Sequence, residues 1–348
     1  MRVNRRYFLK NLGLAVIASG FPLAVQARSF PKSIIKPPRL KVGDTVGLIS
    51  PASPIDQADI APVVQILAEF GLNVKLGAHL LDRYGDLAGK DSDRAADVNS
   101  MFADTSVKAI LTMRGGWGCN RILPLLDYDV MRSHPKILMG YSDITSLLVA
   151  IYARCGLVTF HGPVGTSTWN AFSVDYVKRI LFDGEAVTLQ NPITAQDNLT
   201  QTPISVQTIT PGKARGRLLG GNLSVLTAMV GSAYLPSWKQ KILFIEEVGE
   251  DIYRVDRMLT QLKLAGILQQ ISGFIFGQCT NCSRGKNNEG LPLQEVLLSH
   301  IKPLGIPAWY GSMIGHIKDK FTLPLGVAVE IDASSGTIQM LESAVLRT

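Results

Sequence analysis

The 348-residue chain has little of what metal sites and membrane spans are made from. It holds five histidines and four cysteines. Cys279-Thr-Asn-Cys282 is the one close cysteine pair, Cys119 and Cys155 stand alone, and no histidine follows at finger-like spacing. A zinc centre takes three or four ligands. The composition therefore argues against a metal and leaves a local disulfide or buried thiols as the readings of the cysteines. Beyond residue 27 no apolar run approaches the roughly 18 residues that span a bilayer.

Residues 1–27, MRVNRRYFLKNLGLAVIASGFPLAVQA, combine a basic start, the pair Arg5-Arg6, a short apolar run broken by Gly13, Gly20 and Pro22, and the ending Val25-Gln26-Ala27. The pattern is that of an export signal. It resembles a twin-arginine signal, whose cargo crosses a bacterial inner membrane already folded. The expectation is cleavage near Ala27, a periplasmic mature protein, the twin-arginine export machinery as a partner, and no stable membrane anchor. Of 35 Lys+Arg and 28 Asp+Glu, this segment holds four basic residues and no acid, which leaves 31 against 28. So small an excess argues against a phosphate-neutralising surface, and hence against nucleic acid as a partner. The 321 residues that remain of 348 after the first 27 fit about two domains.

From Leu40 onward, short β-branched runs alternate with helical periods. Thr45 to Ile49 reads as a strand ending in Ser50-Pro51-Ala52-Ser53-Pro54; Ile60, Val63, Val64 and Leu67 then share one helix face, stopped by Gly71. Leu72 to Leu76, Val107 to Met113, Ile137 to Met139 and Gly156 to Phe160 continue as strands. Helices are expected at Ser92 to Asp104, Gly118 to Leu126 and Asp143 to Ala153. Strict alternation of this kind implies parallel crossovers, so residues 40–188 are expected to form an open α/β sheet covered on both faces. Asn, Gln, Thr and Pro dominate Gln190 to Thr210, and 189–213 reads as a linker. Residues 214–348 read as a mixed, strand-rich domain with a smaller core, with strands at Lys241 to Ile245 and Gly273 to Gly277 and a helix at Asp251 to Leu264.

In an open parallel sheet, the loops at the carboxyl ends of the strands converge on one crevice. Here those loops are SPASP (50–54), RGGWG (114–118) and GYSD (140–143). A serine on a sharp strand-to-helix turn is lifted out of the packed layer, and the amide after it lies at a helix N-terminus, where negative charge is favoured. Ser142 has this placement, with the Asp143 amide as a natural oxyanion donor; a plain helix cap is the competing role. The last glycine of the usual G-x-S-x-G elbow is replaced by Ile144. Gly115, Gly116 and Gly118 lack the full spacing of a phosphate cradle and better suit a close backbone approach to a reacting carbonyl. A serine nucleophile needs a base and an orienting acceptor. His79, His134 and His300 read as surface residues, whereas His161 and His316 both sit where they could serve as the base. Glu246 and Glu247 follow a buried strand and point to opposite faces, so only one can enter a given site.

Together these stretches resemble the L,D-carboxypeptidases of peptidoglycan turnover and their relatives, the microcin-C self-immunity peptidases. The resemblance spans nearly the whole chain after the signal: VGLISPASP, GKDSDRAADVNSMFAD, RGGWGCNRILPLLD, GYSDITSLL, FHGP, GRLLGGNLSVL, ILFIEEVGE and GHIKDKFTLPLG occur in order. It implies a flavodoxin-like N-terminal domain and a β-rich C-terminal domain, no metal, and often a homodimer. It implies a Ser-Glu-His triad at Ser142, Glu246 and His316, with an oxyanion hole at the amides of Gly116 and Asp143 and a structural role for His161. The family's usual Glu-Asp pair is Glu246-Glu247 here, so the two glutamates could exchange roles. The reaction implied is removal of the terminal D-alanine from tetrapeptide stems through an acyl-enzyme, with Arg114 as the candidate for the substrate carboxylate. A peptidyl-nucleotide peptidase would need an aromatic platform such as Trp169, Tyr234 or Trp238; an exported binding protein would bind without turnover.

Overall fold

The computed structural model describes residues 33–192, 205–285 and 289–347; residues 1–27, expected from the sequence to be an export signal, lie outside them. Apolar runs build the first sheet from Thr45–Ile49 (β1), Asn73–Leu76 (β2), Val107–Thr112 (β3), Ile137–Gly140 (β4) and Thr159–His161 (β5). These five strands are mutually parallel in the order β2-β1-β3-β4-β5. That is the flavodoxin order, and the direction of winding reverses between β1 and β3. The loops SPASP and RGGWG leave those two strands and so flank the switch point, where a crevice opens.

The remaining strands are Thr188–Leu189 (β6), Gln207–Thr210 (β7), Lys213–Asn222 (β8), Lys241–Val248 (β9), Gly273–Thr280 (β10), Ala308–Tyr310 (β11), Leu323–Leu325 (β12), Ala328–Asp332 (β13) and Thr337–Met340 (β14). All but β12 form a second sheet in the order β6-β14-β13-β8-β9-β10-β11-β7. Its centre, β8-β9-β10-β11, is parallel and is crossed by the helices Leu223–Ala228, Ile252–Leu264 and Leu293–Ile301, while its flanks are antiparallel. The sheet is mixed, as expected, and at eight strands it is wider than the six-stranded first sheet.

Three expectations need correction. Both ends of the expected 189–213 linker belong to the second sheet, as its two edge strands β6 and β7; residues 193–204 lie outside the described ones. In Gln207-Thr-Ile-Thr only Ile209 is buried, and an edge strand with one apolar contact has the composition of a loop. The helix expected over Gly118 to Leu126 runs only from Cys119 to Ile122 and tightens into a 3₁₀ turn containing Pro124, because proline cannot donate within a helix. His300 is not a surface residue: it is buried and its Nε2 meets an Asp256 oxygen at 2.5 Å.

The two sheets are locked together through one helix and one returning strand. Helix Thr145–Cys155 is buried on nearly every side, because it packs on β5 from its own domain and on β8 from the other. A helix covered all round has no need of a polar stripe, which explains its run Leu147-Leu148-Val149-Ala150-Ile151. The chain then returns late, when β12 pairs antiparallel with β5 in the first sheet, Leu323 opposite His161.

Candidate active site

One side of the site consists of loops held against each other by backbone contacts. Ser142 adopts φ 64°, one of three non-glycine residues with positive φ among those described. A side-chain-bearing residue rarely takes this conformation without cause, and functional turns are where it persists. Tyr141 before it is extended and Ser142–Ile144 turns as a 3₁₀ segment directly into helix Thr145–Cys155. Gly115 lies so close to this serine that a Cβ there would stand 2.7 Å from the Ser142 Cβ and 2.9 Å from its Oγ. The Ser53 amide donates to the Gly115 carbonyl at 3.3 Å, so SPASP, RGGWG and GYSD do converge. Asp143 fastens the middle loop, its carboxylate accepting from the Cys119 amide at 2.8 Å. Burial pushes the Asp143 carboxyl up, against the pull of that bond.

Arg94 is the fastener that sequence reading missed. It is 1% exposed on helix Asp91–Ala103, and its guanidinium donates to the carbonyls of Pro51 and Gly118 and to Asp91. One buried cation thus ties the first loop to the second. The signal was present: Arg94 shares a helical face with Val98, Met101 and Phe102, where a charge is out of place unless it is paired.

The other side of the site consists of side chains on a strand and one loop. Glu246 and Glu247 end β9, both buried, and the strand sends them opposite ways. Glu247 accepts from Asn222 Nδ2 at 3.0 Å, from the Ser224 amide at 2.8 Å and from its own neighbour Val248 at 2.9 Å; burial holds it above the usual carboxylate range. Glu246 Oε2 instead meets His316 Nδ1 at 2.8 Å. Gly315 is required there, since with φ 117° a Cβ would stand 2.7 Å from Glu246 Oε2. The His316 ring lies edge-on to Tyr141 at 4.8 Å between centroids, beside the residue that precedes Ser142.

The His316 loop belongs to the second half of the chain yet is anchored on the first domain. Asn170 Nδ2 donates to the Lys318 carbonyl at 3.1 Å and to Asp319 at 2.6 Å, the Lys320 amide donates to Ser173 Oγ at 3.2 Å, and Phe321 packs against Phe172 and Tyr176. That anchorage, with β12 behind it, carries an imidazole from the late chain to the ring of Tyr141, the residue before Ser142.

The same two halves are matched by family models: the LD-carboxypeptidase N-terminal domain over residues 46–162 and the LD-carboxypeptidase C-terminal domain over 215–331. A Bacillus subtilis (strain 168) protein named a probable murein peptide carboxypeptidase is 39% identical over 302 residues, 87% of this chain and 93% of that protein. The chain belongs to the LD-carboxypeptidase family. It is an enzyme of the serine carboxypeptidase type. Among solved structures, the microcin C7 self immunity protein MccF superposes with a TM-score of 0.81 at 28% identity, covering 90% of this chain and 100% of that one. A muramoyltetrapeptide carboxypeptidase from Oxalobacter formigenes does so with 0.73 at 26%, covering 85% and 97%.

Other residues of this carboxypeptidase find different places. Arg114 is exposed, and one of its guanidinium nitrogens reaches the Pro54 carbonyl at 3.3 Å. Gly116 has φ 122° and lies against Ser53. His161 is fully buried, with neither ring nitrogen hydrogen-bonded to the described residues, and burial pushes it down to about 4. Of the aromatic platforms considered, Trp238 is buried, Trp169 donates to the Val164 and Gly165 carbonyls, and Tyr234 lies under Arg154. The exposed aromatic beside the crevice is Trp117, inside RGGWG. His79, Asp82 and Asp93 gather ligand-type atoms within 4.8 Å, but His79 is already hydrogen-bonded to Asp82 at 2.8 Å. Cys279 and Cys282 form a disulfide at the end of β10, while Cys119 and Cys155 are free and buried.

Proposed function

We propose that the enzyme removes the terminal D-alanine from peptidoglycan tetrapeptide stems, with Ser142 as nucleophile, His316 as base and Glu246 as its orienting acid. The observation that carries this reading is the 2.8 Å contact of His316 Nδ1 with a fully buried Glu246, beside the turn that holds Ser142 at φ 64°. With Nδ1 committed to Glu246, Nε2 is the nitrogen left to take a proton from the serine. Ser142 Oγ attacks the carbonyl before D-alanine. The oxyanion lies against the amides of Gly116 and Asp143, each such donor lowering the barrier by about 3 kcal/mol. His316 returns the proton to the leaving amine, D-alanine departs, and water attacks the acyl-enzyme with the same imidazole as base. Arg114 is the candidate to pair with the substrate's terminal carboxylate, through two charge-assisted hydrogen bonds.

Export through the twin-arginine route places this chemistry in the periplasm. Arg5-Arg6 and the 1–27 pattern support that reading, and the Cys279–Cys282 disulfide suits an oxidising compartment. Purified enzyme is offered disaccharide tetrapeptide and, separately, a peptidyl-nucleotide conjugate. D-Alanine release from the first, abolished in Ser142→Ala, is expected; unchanged release by the alanine variant would remove the triad. Fractionation of cells carrying the tagged full chain, with and without Arg5→Lys and Arg6→Lys together, tests export. A cytoplasmic location for the unaltered chain ends that part of the reading.

A further inference from the structure

Glu246 presents an electrostatic problem that its bond to His316 does not solve. The residue is 0% exposed, Oε2 is engaged with His316, and Oε1 has no hydrogen-bond partner among the described residues. Burying a carboxylate with one oxygen unbonded is costly unless a cation lies near. The groups facing it can be named element by element. From β5 comes His161, held neutral by burial. From the end of β4 comes Tyr141, whose hydroxyl burial pushes up, keeping it protonated. Glu247, the next residue of β9, is turned to Asn222 and Ser224. From the His316 loop comes Lys320, whose neighbour Asp319 is exposed and bonded to Asn170.

Lys320 is 4% exposed, and its Nζ stands 4.8 Å from the centre of the Tyr141 ring, the same ring that meets His316 edge-on at 4.8 Å. Burial holds its ammonium below the usual lysine range, and the Glu246 carboxylate opposes that shift. Lysine is rarely this buried without a partner. Here the aromatic face supplies part of the compensation, and the carboxylates of Glu246 and Asp319 act on the ammonium through space rather than in a direct ion pair.

We propose that Lys320 is a positioning residue of the site: its buried ammonium, seated on the Tyr141 ring that also meets His316, sets the charge environment of the Glu246–His316 pair. The proposal rests on the triad reading of Ser142, His316 and Glu246. It gives a sign. A cation near the Glu246–His316 pair disfavours an added proton on either member, so removing that cation makes the proton easier to hold. The pH below which the base is disabled then rises.

The test is the pH profile of kcat/KM for D-alanine release from disaccharide tetrapeptide, with unaltered enzyme, Lys320→Met and Lys320→Arg. In Lys320→Met the acid limb is expected to move up by about one pH unit, a roughly tenfold loss on the acid side. In Lys320→Arg, which keeps the charge, the limb stays in place even where the absolute rate falls. Lower activity at every pH with an unmoved limb in Lys320→Met would show a packing role only and overturn the proposal, as would an arginine variant whose limb moves like that of the methionine variant. Circular dichroism checks folding, and Lys320→Gln replaces a methionine variant that does not fold, with the same outcomes applying. Ser142→Ala is run alongside. Release by that variant sinks the triad reading itself, whereas its inactivity with an unmoved Lys320→Met limb sinks only the role of Lys320.

Discussion

The crevice is built differently on its two sides. The first sheet contributes loops whose shape is held by backbone carbonyls, one buried arginine and a strained serine. The second contributes side chains on the rigid end of β9 and one loop that is pinned to the opposite domain. A loop can lift a nucleophile and aim amide hydrogens, which is what a developing oxyanion needs. A strand end buried in a parallel sheet can fix a carboxylate against an imidazole, which is what the base needs. The division teaches that damage on the two sides should have different signatures: shape on one, charge on the other.

The sharpest way to break this contrast is the pair Glu246 and Glu247, adjacent in sequence and opposed in space. Glu246→Gln is expected to lower kcat by about 10³- to 10⁴-fold with little change in folding. Glu247→Gln should cost about 2 kcal/mol of stability through its bonds to Asn222, Ser224 and Val248 while leaving most of kcat. Urea melts and steady-state kinetics on the two variants measure both, and the reverse pattern would exchange their roles.

On the loop side, Arg94→Met leaves the Pro51 and Gly118 carbonyls without their donor. A loss of about 3 kcal/mol is expected, together with a fall in kcat of roughly tenfold as the RGGWG loop loosens. Equal stability to the unaltered enzyme would show that the loops hold each other without it.

Acid offers a charge-based probe of His161, which belongs to neither signature. Its folded form binds a proton only near about 4, whereas the unfolded chain binds one near 6.5. As pH falls through that window the unfolded state takes up a proton that the folded state refuses, so folding stability drops. Between pH 7.5 and pH 5 the loss attributable to this residue is about 2 kcal/mol. Thermal melts of the unaltered enzyme and of His161→Asn at the two pH values should show the variant losing less; parallel losses would contradict the assignment.

The smallest effect expected is at Trp117, half exposed at 50% beside Gly116. Trp117→Ala should raise KM by about fivefold, about 1 kcal/mol, with kcat nearly kept. A change confined to kcat would show that this residue acts through loop shape and not through contact with substrate.

Much of this arrangement could be read along the chain, and the exceptions have physical causes. Alternating apolar runs and glycine turns are local properties, so β1, β9 and the parallel first sheet were legible, as was Ser142 on its turn. Period-two alternation also showed that Glu246 and Glu247 face opposite ways, but not which of them faces a histidine. That depends on Asn222 and Ser224 approaching from β8 and the helix after it. His161 and His316 were equally placed in one dimension. Distinguishing them needed the depth at which each ring lies, which burial by Phe244 and Tyr141 sets. Polar edge strands such as Gln207–Thr210 were read as linker because an edge asks little of its side chains.

By itself the sequence determined the local matters: strand and helix periods, the three glycine- and serine-rich loops, the scarcity of metal ligands, and enough ordered motifs to indicate a family. Only the tertiary structure decided which glutamate pairs with His316, that a late loop is pinned across the domain boundary, and that Arg94 and Lys320 are buried beside the site. Those facts depend on contacts between residues dozens to more than a hundred positions apart. No periodicity encodes them, because they arise where separate strands, loops and helices pack against one another.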